Sequence, residues 1–291
     1  MRYRGEKMDV DALPFSSIVQ DVLNVGRVPS LAVMAAAINT ELRKSQRVTL
    51  ASSLEPHPVD DPVRARYDRK ADQPAKVWTT HGVESIEAGE EVLVPTYEIP
   101  VTLTVRRHEL RQRGQFLIRG AIQKGVMEFR RHEQDRVFAL YRDSVDKNVI
   151  CDPGSKFSHA AIDAAFKLIE DKSIIPQYLF VNPNVYIDVF SHPQFERSST
   201  ELILVNKGIA GSLYSAEVVT TTCVPKTDMV LTGLPSEVGR MPIEGTVEDE
   251  PPVAKEGKID LNFLAKSGCV LLNEDAVAII TKRLEEEPLV T

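Results

Sequence analysis

Cysteine, tryptophan and long apolar runs are scarce in this chain of 291 residues. The three cysteines, Cys151, Cys223 and Cys269, are odd in number, far apart and without CxxC spacing, so neither a disulfide framework nor a zinc site is signalled. A reducing compartment fits that usage. No segment reaches the 18 or so apolar residues of a membrane span, and the opening MRYRGEKMDVD is charged with no apolar signal core behind it. We therefore expect a protein made and kept in the cytosol, with no membrane partner. An excess of base is missing too. Thirty-five Lys and Arg stand against 42 Asp and Glu, a formal charge of -7, which argues against a surface built to grip phosphates by counterion release. Any nucleic acid nearby is expected to be enclosed rather than tightly bound.

The motifs of common chemistry are absent as well. There is no GxxxxGK[ST] phosphate loop, and the nearest glycine cluster, Gly208-Ile-Ala-Gly211-Ser-Leu-Tyr, lacks the lysine that reaches a β or γ phosphate. His132-Glu133 begins like a zincin helix, but Arg136 stands where the second imidazole of HExxH belongs, so a charged helix face is the better reading. No GxSxG elbow appears. Cys223, in TTTCVP, reads as a buried structural thiol in a strand, and His159 beside Ser158 as a helix-end residue. The six histidines are scattered singly. Neither catalytic residues, nor a metal, nor a cofactor is expected.

What the chain does contain is a sequence of distinct textures. Leu31, Ala35, Ile38 and Leu42 fall on one face of a helix within residues 14–45. Residues 46–95 begin and end with β-like pieces, RVTLASSL and EEVLVPTYEI. Between them lies EPHPVDDPVRARYDRKADQPAK, proline-bearing, densely charged and unable to build a core of its own. From Glu109 to about Asp146 runs a proline-free amphipathic pattern with Ile118, Ile122, Gly125, Phe129, Val137 and Leu140 at helical intervals. It predicts one long strut helix. In RRHELRQRGQF and VRARYDRK, acidic residues recur beside the basic ones, so we read these stretches as solvated or subunit-facing before nucleic-acid-binding.

Ser158 is the expected N-cap of a helix carrying Ile162, Phe166 and Ile169 on one face. Tyr178–Val181 predicts a strand, and Asn182-Pro183 the start of a helix with Tyr186, Val189 and Phe190 inward. Beyond Phe195, LILV, EVVTTTCVP and DMVLTGLP are β-rich around a glycine-marked loop, GIAGSLYSA. Residues 242–258 read as an acidic solvated loop, and GCVLLN and AVAII as closing strands.

The order of these parts resembles the Hong Kong 97-type shell proteins of tailed double-stranded-DNA viruses. Two stretches carry the likeness, YLFVNPNVYIDVFSHPQF and LVNKGIAGSLYSAEVVTTTCVPKTDMVLTG. Asn182, Pro183 and Tyr186 match the family's A-domain step. Gly208, Gly211, Leu213, Tyr214 and Val218 match its glycine loop and strand, Pro225 the closing turn, and Gly268 with Ala276 the final return. The resemblance covers residues 15–282. It implies an α+β fold divided as N-arm (1–45), E-loop (46–95), P-domain strand and spine helix (96–157), A-domain core (158–240), and acidic loop with return to the P domain (241–291).

It further implies a major capsid protein, not an enzyme. Such a protein associates with itself in pentamers and hexamers of an icosahedral shell, encloses double-stranded DNA without sequence-specific binding, and works with scaffold, portal or decoration proteins. Its place would be the virion capsid, assembled in host cytoplasm. Subunit-interface residues are expected at Gly208, Gly211, Leu213 and Tyr214 of the glycine loop and at Arg64, Arg66, Tyr67 and Arg69 of the E-loop. No long N-terminal scaffolding region of the kind some relatives carry is expected, and no lysine and asparagine pair is assignable to crosslinking. Two other readings stay open: an encapsulin-type nanocompartment shell around a protein cargo, and a soluble α/β hydrolase using Cys223 or His159.

Overall fold

A computed structural model describes residues 15–23, 29–44, 51, 53–57, 64–66, 75–79, 82–86, 91–197, 209–214, 216–244 and 247–282. The LILV run, Gly208, Tyr67 and Arg69 lie outside them. The organising element is α3, Arg107–Ser144, 38 residues and therefore about 57 Å long at 1.5 Å per residue. Ile118, Ile122, Gly125, Phe129, Val137 and Leu140 are all buried, as their spacing predicts. Glu133 is a correction. Its side chain is buried, where the sequence suggested an open charged face.

The first half of α3 packs with α1 (Phe15–Leu23) and α2 (Pro29–Lys44) on one side and the long strands β6 (Tyr97–Arg106) and β15 (Lys258–Ser267) on another. Backbone angles at Arg113 are non-helical (φ -131, ψ 31). At the next residue a β-carbon on Gly114 would stand 2.5 Å from a Val19 methyl. The helix bends where α1 crosses it at a separation only glycine permits. The N-terminal helices thus rest on the chain's own strut, Ile18, Leu31, Met34 and Ile38 being buried against it.

Beside this half lies an eight-stranded sheet among the described residues, in the order β14-β15-β13-β16-β3-β4, with β1 on β13 and β6 on β15. β6 and β15 pair over ten residues, and each alternates buried and accessible positions as a one-sided sheet must. β14 (Glu248–Lys255) runs antiparallel to β15. Residues 242–258 are therefore largely a hairpin, not a solvated loop. Pairing along β15 overrides an acidic, proline-containing composition, which sits on a sheet edge where it discourages further strand addition.

Of the excursion over residues 46–95, β1 (Ser53–His57) pairs with β13 (Gly239–Glu244), and β3 (Ala75–Thr79) with β16 (Val270–Leu271) and β4 (Gly82–Ile86). Ala75 and Val77 are buried in a small core with Val94 and Val270. A separate two-stranded ribbon, β2 (Arg64–Arg66) on β5 (Glu91–Leu93), is held by three residue pairs.

The second half of α3 meets a sheet of seven strands among the described residues, in the order β7 (Val149–Asp152), β17 (Val277–Lys282), β12 (Asp228–Thr232), β8 (Tyr178–Val181), β11 (Ala216–Thr220), β10 (Ile209–Leu213) and β9 (Phe195–Arg197). One face, through Phe180, Val219, Val230 and Ile279, packs on Val137, Phe138 and Tyr141 of α3. The other, through Leu179, Val218, Leu231 and Ile280, is covered by α4 (His159–Glu170), with Val189 of the short α5 (Tyr186–Phe190). Ser158 caps α4, its hydroxyl accepting from the Ala161 N–H at 3.2 Å.

The strand β8 (Tyr178–Val181) follows the sequence, but the helix after it begins at Tyr186 and not at Asn182-Pro183, residues 183–185 forming a turn. Asn182 accepts from the Asn184 N–H at 3.0 Å and donates to the Val224 carbonyl at 2.8 Å, so one buried amide fixes two turns. GIAGSLYSA is a second correction. Residues Ile209–Leu213 form a strand, β10, hairpinned to β11 (Ala216–Thr220) with a bulge between Ile209 and Gly211, so that Ile209 packs in the core beneath α3 and Leu213 in the core beneath α4.

Candidate assembly surfaces

Tyr214 lies at the tip of the β10–β11 hairpin, at φ +53, in a left-handed conformation that a bulky residue adopts only when held. Its hydroxyl donates to Asp163 Oδ1 at 2.7 Å, and its ring stands edge-on to Phe166 at 5.0 Å and to His192 at 5.7 Å. The Asp163 carboxylate pushes the Tyr214 phenol above its ordinary value, since a phenolate would lose that bond and meet a like charge. Tyr214 is 48% exposed, a rigidly aimed aromatic on the surface.

The other glycine-loop residues behave differently. Leu213 is fully buried in the core and Gly211 lies inside the sheet, where a β-carbon would stand 2.4 Å from the Glu196 carbonyl oxygen. Both serve internal packing, so Tyr214 alone of the four expected residues is described as surface. Gly208 is outside the described residues. On the ribbon, Arg64 pairs with Leu93 and Arg66 with Glu91 in register, which places these two arginines on the β2 ladder. Tyr67 and Arg69 follow beyond the described residues.

Where the base of the excursion joins the body, the Arg136 guanidinium lies 5.5 Å from the Trp78 ring centroid and 4.8 Å from that of Tyr97. This clamps α3 to β3 and β6. Lys76 of β3 donates to the Ser144 carbonyl and lies 3.3 Å from Glu274 Oε2. Burial pushes the Tyr97 phenol well up, and the fully enclosed Cys269 thiol beside it to about 12. Sequence pattern missed this joint. Its residues, from Lys76 to Glu274, are spread over nearly 200 positions of chain, and no local pattern joins them.

Side chains that would serve a hydrolase are separated. Cys223 sits in the turn after β11, not in a strand, because Asn182 ties that segment down through the Val224 carbonyl. Its Sγ lies 3.3 Å from Gln134 Oε1, and burial raises the thiol to about 11. A shallow cavity of about 200 Å³ there is lined by Asp135, Phe138, Arg142, Cys223 and Pro225 among others, with no histidine. His159 Nε2 is 3.3 Å from Ser191 Oγ, but Ser191 already donates to the Asp188 carbonyl at 2.9 Å. The carboxylate Asp163 belongs to the other imidazole, His192, at 3.0 Å. His192 Nδ1 accepts from the Gln194 N–H at 3.2 Å, so its Nε2 carries the proton given to Asp163. No one imidazole joins the serine to the carboxylate. Among the described residues no three His, Cys, Asp or Glu side chains gather as a metal site.

No family model matches the chain, and no curated protein does. Solved structures do. A virus-like particle from Pyrococcus furiosus superposes with a TM-score of 0.52 at 13% identity over 87% of this chain and 100% of that one. A structure of Microbacterium phage Oxtober96 gives 0.53 at 14% identity over 82% and 91%. The holo-SrpI encapsulin complex from Synechococcus elongatus PCC 7942 gives 0.50 at 13% over 78% and 84%. The α+β fold, with its long helix, resembles the Hong Kong 97-like capsid and encapsulin folds.

Proposed function

We propose that this chain is the major capsid protein of a tailed double-stranded-DNA virus, a structural subunit whose copies close into an icosahedral shell around the genome, and not an enzyme. One observation carries the reading: the shell-protein fold extends over 87% of the chain and the full length of the virus-like-particle subunit. The ribbon β2–β5 supports it. A two-stranded ribbon with three residue pairs is marginal by itself and gains stability by lying on another copy, with Arg64 and Arg66 as contacts and Tyr67 and Arg69 beside them. Tyr214, aimed by Asp163, is the corresponding contact at the hairpin tip. Scaffold, portal and decoration proteins are the further partners of such a shell, and the virion capsid is its place.

The test is expression of the full chain followed by size-exclusion chromatography and negative-stain microscopy. Hollow shells or hexamer-sized capsomers are expected. Material no larger than a few copies of the 32.4 kDa chain under all conditions would end the proposal. A second reading, a nanocompartment around a protein cargo, is favoured by the encapsulin likeness. Particles from the native source separate the two, holding nuclease-protected DNA in the first case and a co-purifying protein in the second.

A further inference from the structure

Residues 110–127 of α3 contain Arg111, Arg113, Arg119 and Lys124 and not one carboxylate, in a chain whose formal charge is -7. The acids of this region, Glu109 and Glu128, lie just outside that window. Arg111, Arg113 and Lys124 are exposed, and none has an ion-pair partner among the described residues. Arg131, farther along, is by contrast answered by Asp135 at 3.7 Å. Phe116, Gly120, Lys124 and Met127 recur every three or four residues and share one side of the helix, with Phe116 80% and Met127 67% exposed. Two large apolar side chains left bare on one helix face mark a surface that something covers.

The opposite side of the same layer is built otherwise. α2 and α3 cover the inner face of the β6–β15–β14 sheet, and the outer face is of mixed sign. There the Thr102 hydroxyl donates to Asn262 Oδ1 at 3.0 Å and the Thr104 hydroxyl to Asp260 Oδ1 at 2.7 Å. Glu98 stands opposite Lys266 in the ladder, and Glu248 and Glu250 extend the face. The outer face therefore mixes both signs, with Lys258 and Arg106 as well as the acids, whereas residues 110–127 of α3 carry cations alone.

We propose that the exposed side of α3 over residues 111–127 lines the inside of the shell and contacts the phosphate backbone of duplex DNA through Arg111, Arg113 and Lys124. This rests on the reading of the chain as a capsid subunit. Three cations on each subunit give a weak, salt-sensitive contact repeated over the whole wall, compatible with a net acidic protein. Phe116 and Met127 supply apolar area for sugar and base edges between the phosphates.

The experiment uses unassembled full-length protein and a fluorescent duplex of about 30 base pairs, titrated by anisotropy at several salt concentrations. A plot of log affinity against log salt is expected to have a slope near -3, about -0.9 per phosphate neutralised. The variant R111Q/R113Q/K124Q should lose most of that slope and bind at least tenfold more weakly at low salt. A control with the same change of charge elsewhere, K147Q/K156Q/K258Q, should bind as the parent does. Equal losses in both variants, an unchanged α3 variant, or no binding by the parent at low salt would each overturn the proposal. So would tighter binding of polyglutamate than of duplex at matched charge, which would assign the face to an acidic protein segment. Shell formation by the parent is scored separately by microscopy. Shells without α3-dependent DNA binding sink this inference alone, whereas absence of shells sinks the reading beneath it.

Discussion

The seven-stranded sheet and the β2–β5 ribbon are made of the same backbone pairing and differ in what covers them. The sheet is buried on both faces, by the second half of α3 on one side and by α4 and α5 on the other, so every strand gains from side chains the chain itself provides. The ribbon has three residue pairs, carried on a stretch whose sequence between residues 55 and 74 is charge and proline with few large apolar groups. Burial of apolar area is worth about 25 cal/mol per Å², and a segment without such area has nothing to set against its ordering entropy. One region is stable because of the chain it belongs to. We propose that the other is stable because of the chain beside it.

The largest test of that contrast replaces residues 58–74 by a short Gly/Ser linker, leaving β1 and β3 on their partners β13 and β16. Shell formation should be abolished while the melting temperature of the unassembled subunit stays within a few degrees of the parent. A variant that still closes intact shells would refute the subunit-bridging role. The reverse perturbation is Leu213→Ala, which opens a cavity in the covered sheet. It should cost about 2–5 kcal/mol of subunit stability by chemical denaturation, whatever the state of assembly. Should the two variants exchange phenotypes, the division between self-supported and borrowed stability would be wrong.

A finer test compares the thiols. Iodoacetamide near pH 8 should label exposed Cys151 in the native subunit and leave Cys223 and Cys269 until unfolding, since burial holds their thiols near 11 and 12 and only the thiolate attacks. Rapid labelling of Cys223 in the folded protein would reopen a reactive role for it.

Much of the covered region was legible in the sequence, and little of the contacts between distant parts was. The strut helix, the Ser158 cap, the Val181-Asn182-Pro183 step and the closing strands announce themselves because a 3.6-residue or two-residue period and a capping hydroxyl are local signals. The hairpin of residues 248–267 was hidden. Glu248, Asp249, Glu250 and two prolines have the composition of a solvated loop, and only the long register with β15 makes them a strand. Leu213 was assigned to an interface through a motif likeness, although nothing local distinguishes a core leucine from a contact. The Arg136 clamp over Trp78 and Tyr97 joins elements far apart in sequence, and no periodicity reports such a meeting.

The smallest predicted effect lies on that hidden edge strand. Asp249 points to the same side as its partner Phe263, which is buried, and burial first and the neighbouring Glu248 second raise its carboxyl above the ordinary value. A carboxyl that ionises less readily in the folded state penalises folding once it is charged, so its cost is absent below the unfolded-state pKa and complete above the folded-state value. Asp249→Asn should therefore melt slightly higher than the parent at neutral pH. The difference should shrink to nothing as the pH falls through the carboxylate range. A gain that persists in acid would place the effect in packing and not in charge, and a loss at neutral pH would mean that the carboxylate is stabilised on this edge.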